Sequence, residues 1–228
     1  MNVLCNCEKC ELKGIFIGHL TETDIESFCS QKSERQFSKG EIIIEQGMEI
    51  TEFTYLKSGL VKLFRKGEGG KEQIIAIAKP FDFVSLLSVF SEKNYNYSVT
   101  AIEDSTTCIL DLLFIRNIIG SNGNLALNIM EKMSRVSDNI IGNLLNIRQK
   151  QLRGRIAFIL IYFADKIYSN LIFDLPLSRK EIAEYIGMTT ENVIRILSEF
   201  RQDKIIKING KTIEIADFER LKAIANFG

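Results

Sequence analysis

Residues 178–204, SRKEIAEYIGMTTENVIRILSEFRQDK, leave the chain little freedom of local structure. Ser178 stands three residues before Glu181, the spacing of a capping box at a helix start. Ile182, Ala183 and Ile186 form the apolar stripe of that short helix, and Gly187 ends it, where a residue tolerant of positive φ is needed. Thr189 then caps a second helix. Its Val193, Ile196, Leu197 and Phe200 recur at i, i+3, i+4 and i+7 and so face inward. Two short helices joined by a tight turn are a helix-turn-helix layout.

The outward face of the second helix carries Thr190, Glu191, Ile194, Arg195 and Ser198. Arginine can donate two hydrogen bonds to guanine O6 and N7, and glutamate can accept from cytosine N4. At i and i+4, Glu191 and Arg195 share a face and can orient each other. A solvated surface pair is the plain reading of two such residues, but the surrounding two-helix pattern favours base contact. Next, 205–208, an Asn209-Gly210 turn and 212–215 read as a β-hairpin. A hairpin in that place is a wing, with Lys207 and Lys211 near phosphates.

Charge agrees in sign. The 228-residue chain has 29 basic and 29 acidic residues. From Arg148 onward there are 14 basic and 10 acidic residues, against 15 and 19 in the rest, so the C-terminal end is the positive one. No apolar run approaches the roughly 20 residues that cross a bilayer, and no charged-then-apolar leader opens the chain. A cytoplasmic protein without membrane contact is expected, in which the five cysteines would not form structural disulfides. One histidine, no paired-carboxylate motif, no Gly-x-Ser-x-Gly and no phosphate loop argue against an enzyme.

Between 36 and 112 the pattern changes to short apolar segments punctuated by Gly40, Gly47, Gly59, Gly67, Gly69 and Gly70. Strands are expected at 42–45, 53–56, 60–65, 73–78, 97–101 and 106–110, after a first helix at 21–31. Many short strands at such spacing form an antiparallel barrel or jelly roll. Residues 125–151 carry one internal glycine and no proline. Ile129, Met133, Val136, Ile140, Leu144 and Ile147 recur there at three and four, the seam of a long helix packed on a partner or on its own barrel. The expected fold is α+β: an N-terminal segment and β-roll over 1–124, a long central helix over 125–151 and a winged helix-turn-helix over 152–228.

The stretch IAEYIGMTTENVIRILSEFRQDKIIKINGKTIEI resembles the Crp/Fnr family of bacterial transcription regulators. KGEIIIEQG…FTYLKSGLVKLFRKGEGGKEQIIAIAKPFDFV is similar to the family's effector domain, a cyclic-nucleotide-binding-type β-roll, so the resemblance spans nearly the whole chain. It implies a homodimeric, sequence-specific DNA-binding regulator whose β-roll senses an effector or redox signal. Its partners would be palindromic double-stranded DNA, a second copy and RNA polymerase. The alternative is a β-roll that binds a small molecule and acts on a protein partner without specific DNA binding. Residues expected at the duplex are Ser178, Arg179, Thr189, Thr190, Glu191, Asn192, Ile194, Arg195, Ser198 and Lys211. Glu191 and Arg195 match the family's base-reading pair, whereas Ile194 stands where members often carry Ser or Gly. The 125–151 seam matches the family's dimerisation helix.

The effector is less determined. Cyclic-AMP-binding members hold the ribose with Gly-Glu and the phosphate with Arg-Ser. Here Ser85-Leu86 and Asn96-Tyr97-Ser98 fall at those places, and a buried phosphate without a cation is costly. Cyclic AMP is therefore not expected. Oxygen-sensing members bind a [4Fe–4S] cluster through four thiolates. Cys108 matches their fourth cysteine, and Cys5, Cys7 and Cys10 would supply three more, at tighter spacing than that family uses. The other reading makes Cys108 a small buried apolar residue and the three N-terminal cysteines an unliganded tail.

Overall fold

The computed structural model describes residues 3–4, 22–70 and 72–228; Cys5, Cys7 and Cys10 lie outside them. The chain divides into two compact units, Met1–Asp138 and Asn139–Gly228.

In the first unit, β1 (Val3–Leu4), α1 (Glu22–Gln31) and β2 (Ser33–Phe37) lead into β3 (Ile42–Ile44), β4 (Glu52–Ser58), β5 (Val61–Lys66) and β6 (Glu72–Ala78). After a long connection come β7 (Ser98–Ala101) and β8 (Ser105–Asp111). The described strands form two antiparallel four-stranded sheets, ordered β1-β2-β8-β4 and β3-β7-β5-β6. This is the expected β-roll. The turn between β4 and β5 depends on Gly59. Its φ is +85°, and an added Cβ would stand 2.3 Å from Ser105 Oγ and 2.4 Å from the Asp104 carbonyl.

The interior is apolar and aromatic. Phe83 packs on Phe53 and Tyr55 with ring centroids 5.1 and 5.2 Å apart. Leu56, Val61, Val84, Leu86, Val89 and Val99 fill the space around them. Each such burial contributes on the order of 1.5–3 kcal/mol.

The roll is closed by α2 (Leu112–Ser121), capped by Asp111, whose Oδ1 accepts from the Phe114 amide at 2.8 Å. Next comes α3 (Gly123–Gln149), a 27-residue helix that continues past Asp138 into the second unit. Its Leu125 and Ile129 are buried in the β-roll core, and Met133 and Val136 pack against that core. Lys132 lies 5.0 Å from the Phe83 ring centroid. Burial pulls the Lys132 ammonium pKa down, partly offset by Asp82, while burial pushes the Asp82 carboxyl up.

The seam expected on α3 therefore mixes two faces. Ile129, Met133 and Val136 are taken by the chain's own core, Ile147 is also buried, Ile140 is half-buried, and Leu144 is exposed. The stripe open to solvent is Leu127, Met130, Ile141 and Leu144, with exposed Ser134 and Ser137 continuing the same three-four spacing. Both stripes have heptad-like spacing, so periodicity alone does not distinguish them.

The second unit holds α4 (Leu152–Tyr162), a π-helical turn (Phe163–Ile167), β9 (Ile172–Asp174), α5 (Arg179–Ile186) and α6 (Thr190–Gln202). Then come β10 (Ile206–Asn209), β11 (Thr212–Ile215) and α7 (Phe218–Phe227). The described strands form one antiparallel sheet ordered β10-β11-β9. Asn209 pairs with Thr212, so the hairpin loop is Gly210-Lys211, one residue later than the sequence suggests. Helix α4 is apolar on most sides; Ile156, Ala157, Ile159 and Leu160 are fully covered.

Candidate nucleic-acid interface

The expected two-helix motif is present in detail. Ser178 Oγ accepts from the Glu181 amide at 3.2 Å, and Glu181 Oε2 accepts from the Ser178 amide at 2.8 Å, which completes the capping box. Gly187 ends α5 in the left-handed region at φ 66°, and its amide donates to the Ala183 carbonyl. From α4, Arg155 Nη1 donates to the carbonyls of Ile186 and Gly187 at 3.2 and 3.1 Å, satisfying acceptors the helix end leaves open. Nothing local in the sequence signals that brace.

Helix α6 starts at Thr189, whose Oγ1 accepts from the Asn192 amide at 3.3 Å. Val193, Ile196, Leu197 and Phe200 are buried as the spacing predicts. Four anchors on one side fix the rotation of the helix about its axis. Glu191, Ile194 and Arg195 are left exposed together on the other side, flanked by half-buried Thr190, Asn192 and Ser198. Ser178, Thr189 and Lys211 are exposed. Arg179 is half-buried, and desolvation lowers its pKa.

Glu191 and Arg195 do not hold each other. Arg195 Nη1 pairs with Glu199 one turn on, and its Nη2 donates to Asn192 Oδ1 at 3.2 Å. The Glu191 carboxyl is instead drawn to its own backbone N–H and to the Thr189 side chain, which hold its pKa below the usual value. Unpaired amides at a helix start attract a carboxylate, and at Glu191 that attraction prevails over the side-chain pair. The Arg195 guanidinium is thus held between Asn192 and Glu199 rather than by Glu191.

Glu199 also connects α6 to α4: Arg153 Nη1 reaches its Oε2 at 2.5 Å. Arg153 Nη2 meets Asp203 at 3.0 Å, and the guanidinium lies 5.0 Å from the centre of the Phe200 ring. The wing cations are likewise paired, Lys207 with Glu214 at 2.7 Å and Lys211 with Asp174 at 3.5 Å.

In the β-roll, Ser85, Leu86, Tyr97 and Ser98, four of the residues at the expected cyclic-nucleotide positions, are engaged internally, whereas Asn96 is exposed. Ser85 is buried, and its Oγ accepts from the Thr54 amide at 2.9 Å. Leu86 is in the core, and the Tyr97 hydroxyl donates to the Val84 carbonyl at 2.9 Å. Cys108 sits at the middle of β8, 1% exposed, across from Glu34 on β2 and Tyr55 on β4. Its Sγ lies 3.9 Å from Glu34 Oε1. Among the described residues, no three histidine, cysteine or acidic side chains gather to hold a metal ion, and no helix is long and apolar enough to cross a membrane.

Comparison with known proteins agrees with this geometry. The cyclic nucleotide-binding domain family model matches residues 34–122, and the Crp-like helix-turn-helix domain model matches 154–224. Together they define the class: a regulator that couples a cyclic-nucleotide-binding-type domain to a DNA-binding helix-turn-helix. The transcriptional activator protein FnrA of Stutzerimonas stutzeri is 28% identical over 226 residues, 96% of this chain and 92% of that protein. The fumarate and nitrate reduction regulatory protein of Vibrio cholerae is 26% identical over 227 residues, 96% of this chain and 90% of its own. FixK2 from Bradyrhizobium japonicum shares the fold with a TM-score of 0.76 at 22% identity, covering 85% of this chain and 96% of its own. The chain belongs to the Crp/Fnr family and is a DNA-binding transcriptional regulator, in a family of regulators rather than of enzymes.

Proposed function

We propose that the protein acts as a homodimer that sets two copies of α6 into successive major grooves of a palindromic duplex, with centres about 34 Å apart. Glu191 and Arg195 read base edges. Ser178, Arg179, Thr189, Thr190, Asn192, Ser198 and Lys211 position the helix against the backbone and groove walls. The functional segments are a sensor over 1–124, a dimerisation helix over 125–151 and a DNA-binding domain over 152–228. The outward stripe of α3, Leu127, Met130, Ile141 and Leu144, supplies the contact between copies. The protein works in the cytoplasm and reports to RNA polymerase.

One observation carries this reading: a carboxylate and a guanidinium stand exposed on the first half of a helix whose opposite face is fully buried. The match of residues 154–224 to a Crp-like helix-turn-helix favours DNA over a protein partner alone. The test is Arg195→Ala in a gel shift. Affinity for a selected palindrome should fall by about 1–3 kcal/mol, and affinity for random duplex much less. Equal losses on both would make Arg195 a phosphate contact only.

For the signal, a redox reading is supported by the likeness to regulators of the Fnr type and by the thiol count. Cys5, Cys7, Cys10 and Cys108 together offer the four thiolates a [4Fe–4S] cluster takes. Cys108 would be one donor, with a carboxylate beside it, and Cys5, Cys7 and Cys10 would be the other three. A cyclic nucleotide is disfavoured because Ser85, Leu86 and Tyr97 are committed to the fold and bring no charge. Anaerobic purification decides between cluster and bare thiol. About four irons per chain, lost in Cys108→Ala, supports the cluster, and iron-free protein removes it.

A further inference from the structure

Ile194 is 52% exposed, and it is the one large apolar side chain left open among the described residues of α5, α6 and the wing. The fold does not use it, because Val193 and Ile196 already supply the buried face. Its neighbours on the open face are Thr190, Glu191, Arg195 and Ser198, all polar. An isoleucine placed among base-reading groups meets few apolar partners in a duplex. The major groove presents one apolar group on its base edges, the C5-methyl of thymine. A β-branched side chain on a helix holds essentially one χ1 rotamer, so Ile194 is presented with little ordering left to do on contact.

We infer that Ile194 determines specificity by packing on a thymine methyl, at the base pair next to the one Arg195 reads. Ile194 and Arg195 stand side by side on the open face of α6, so the base pairs they meet lie side by side in the groove. The half-site of this protein therefore contains a thymine beside the base pair that Arg195 meets. The inference rests on the proposed placement of α6 in the groove.

The experiment uses the full chain and a random-duplex library. High-affinity half-sites are selected with the parent protein, and the base pair sensed by Arg195 is located with Arg195→Ala. Thymines in the selected site are then replaced singly by deoxyuridine, which removes the methyl and keeps base pairing. One thymine beside the Arg195-dependent pair should lose about fourfold in affinity, the value of burying one methyl group. In Ile194→Ala the same replacement should change affinity by less than about 1.5-fold, because the partner side chain is gone. Ile194 is exposed, so its variants should fold, and an unchanged melting temperature verifies it. An Arg195-dependent motif without a methyl effect, or with the same effect in Ile194→Ala, overturns this inference and leaves the groove placement intact. A library that enriches no motif overturns the groove placement, and this inference with it.

Discussion

Two isoleucines on α3 should fail in different ways when replaced. Ile129 is 2% exposed and belongs to the β-roll core, so Ile129→Ala opens a cavity in a packed interior. Comparable truncations cost about 2–5 kcal/mol of folding stability. Ile141 is 54% exposed, so about half of its side-chain surface remains to be covered by a partner. Burying a whole isoleucine contributes roughly 1.5–3 kcal/mol, so half contributes roughly 1 kcal/mol per copy and roughly 2 kcal/mol across a two-fold axis. Ile141→Asp forfeits that and sets two carboxylates into an apolar seam, which adds several kcal/mol more. A dimer dissociation constant raised by at least about 100-fold is expected. The protomer itself should keep its unfolding free energy within about 0.5 kcal/mol, because the site is on the surface. Sedimentation velocity over a concentration series reads the first quantity, and urea unfolding at low fixed concentration reads the second. If Ile141→Asp sediments as the parent does, or if Ile129→Ala dissociates the dimer without loss of stability, the two faces of α3 have been assigned the wrong way round.

Ser178→Ala removes one half of the capping box and should cost about 1 kcal/mol, read as faster hydrogen exchange across α5. Unchanged exchange would mean the box contributes nothing. Gly59→Ala should cost more than about 3 kcal/mol, because the new Cβ strikes the backbone at Asp104 and sits at positive φ; urea unfolding of the variant checks this. The Glu191 carboxyl has its pKa lowered from 4.5, so its contribution to the start of α6 is full above that value and is lost as pH falls through the depressed one. Carbon-13 titration should place its midpoint below 4.5, and a midpoint at or above 4.5 would show that the helix start does not hold it.

The helix-turn-helix was legible because each of its signals is local. Ser178 with Glu181, the stop at Gly187 and the stripe from Val193 to Phe200 all act within a few residues. The β-roll strands were legible from their glycines. The edges of that pattern were not. Strand β2, SERQF, shows no apolar alternation because its polar side chains find partners on β4: Glu34 binds Lys57 at 2.7 Å, and Arg35 binds Glu52 at 2.6 Å. Helix α2, LLFIRNIIGS, follows β8 without a break, and its run of apolar residues hides the change of period. Long-range choices were the hardest. Arg195 has an acid four residues away on both sides, and sequence alone does not decide which side chain it meets. The inward and outward stripes of α3 share a period, and only the β-roll packed on one of them tells them apart.

The proposed DNA-facing cations include several that are already matched by acids within the protein: Arg195 by Glu199, Lys207 by Glu214 and Lys211 by Asp174. Affinity for arbitrary duplex comes mostly from releasing counterions at phosphates, and a lysine that must first leave an internal carboxylate yields less of it. These three cations should therefore add less to affinity for arbitrary duplex than unmatched ones would. Since wrong sites outnumber right ones by millions or more, such restraint leaves more of a small cellular pool available to its operators.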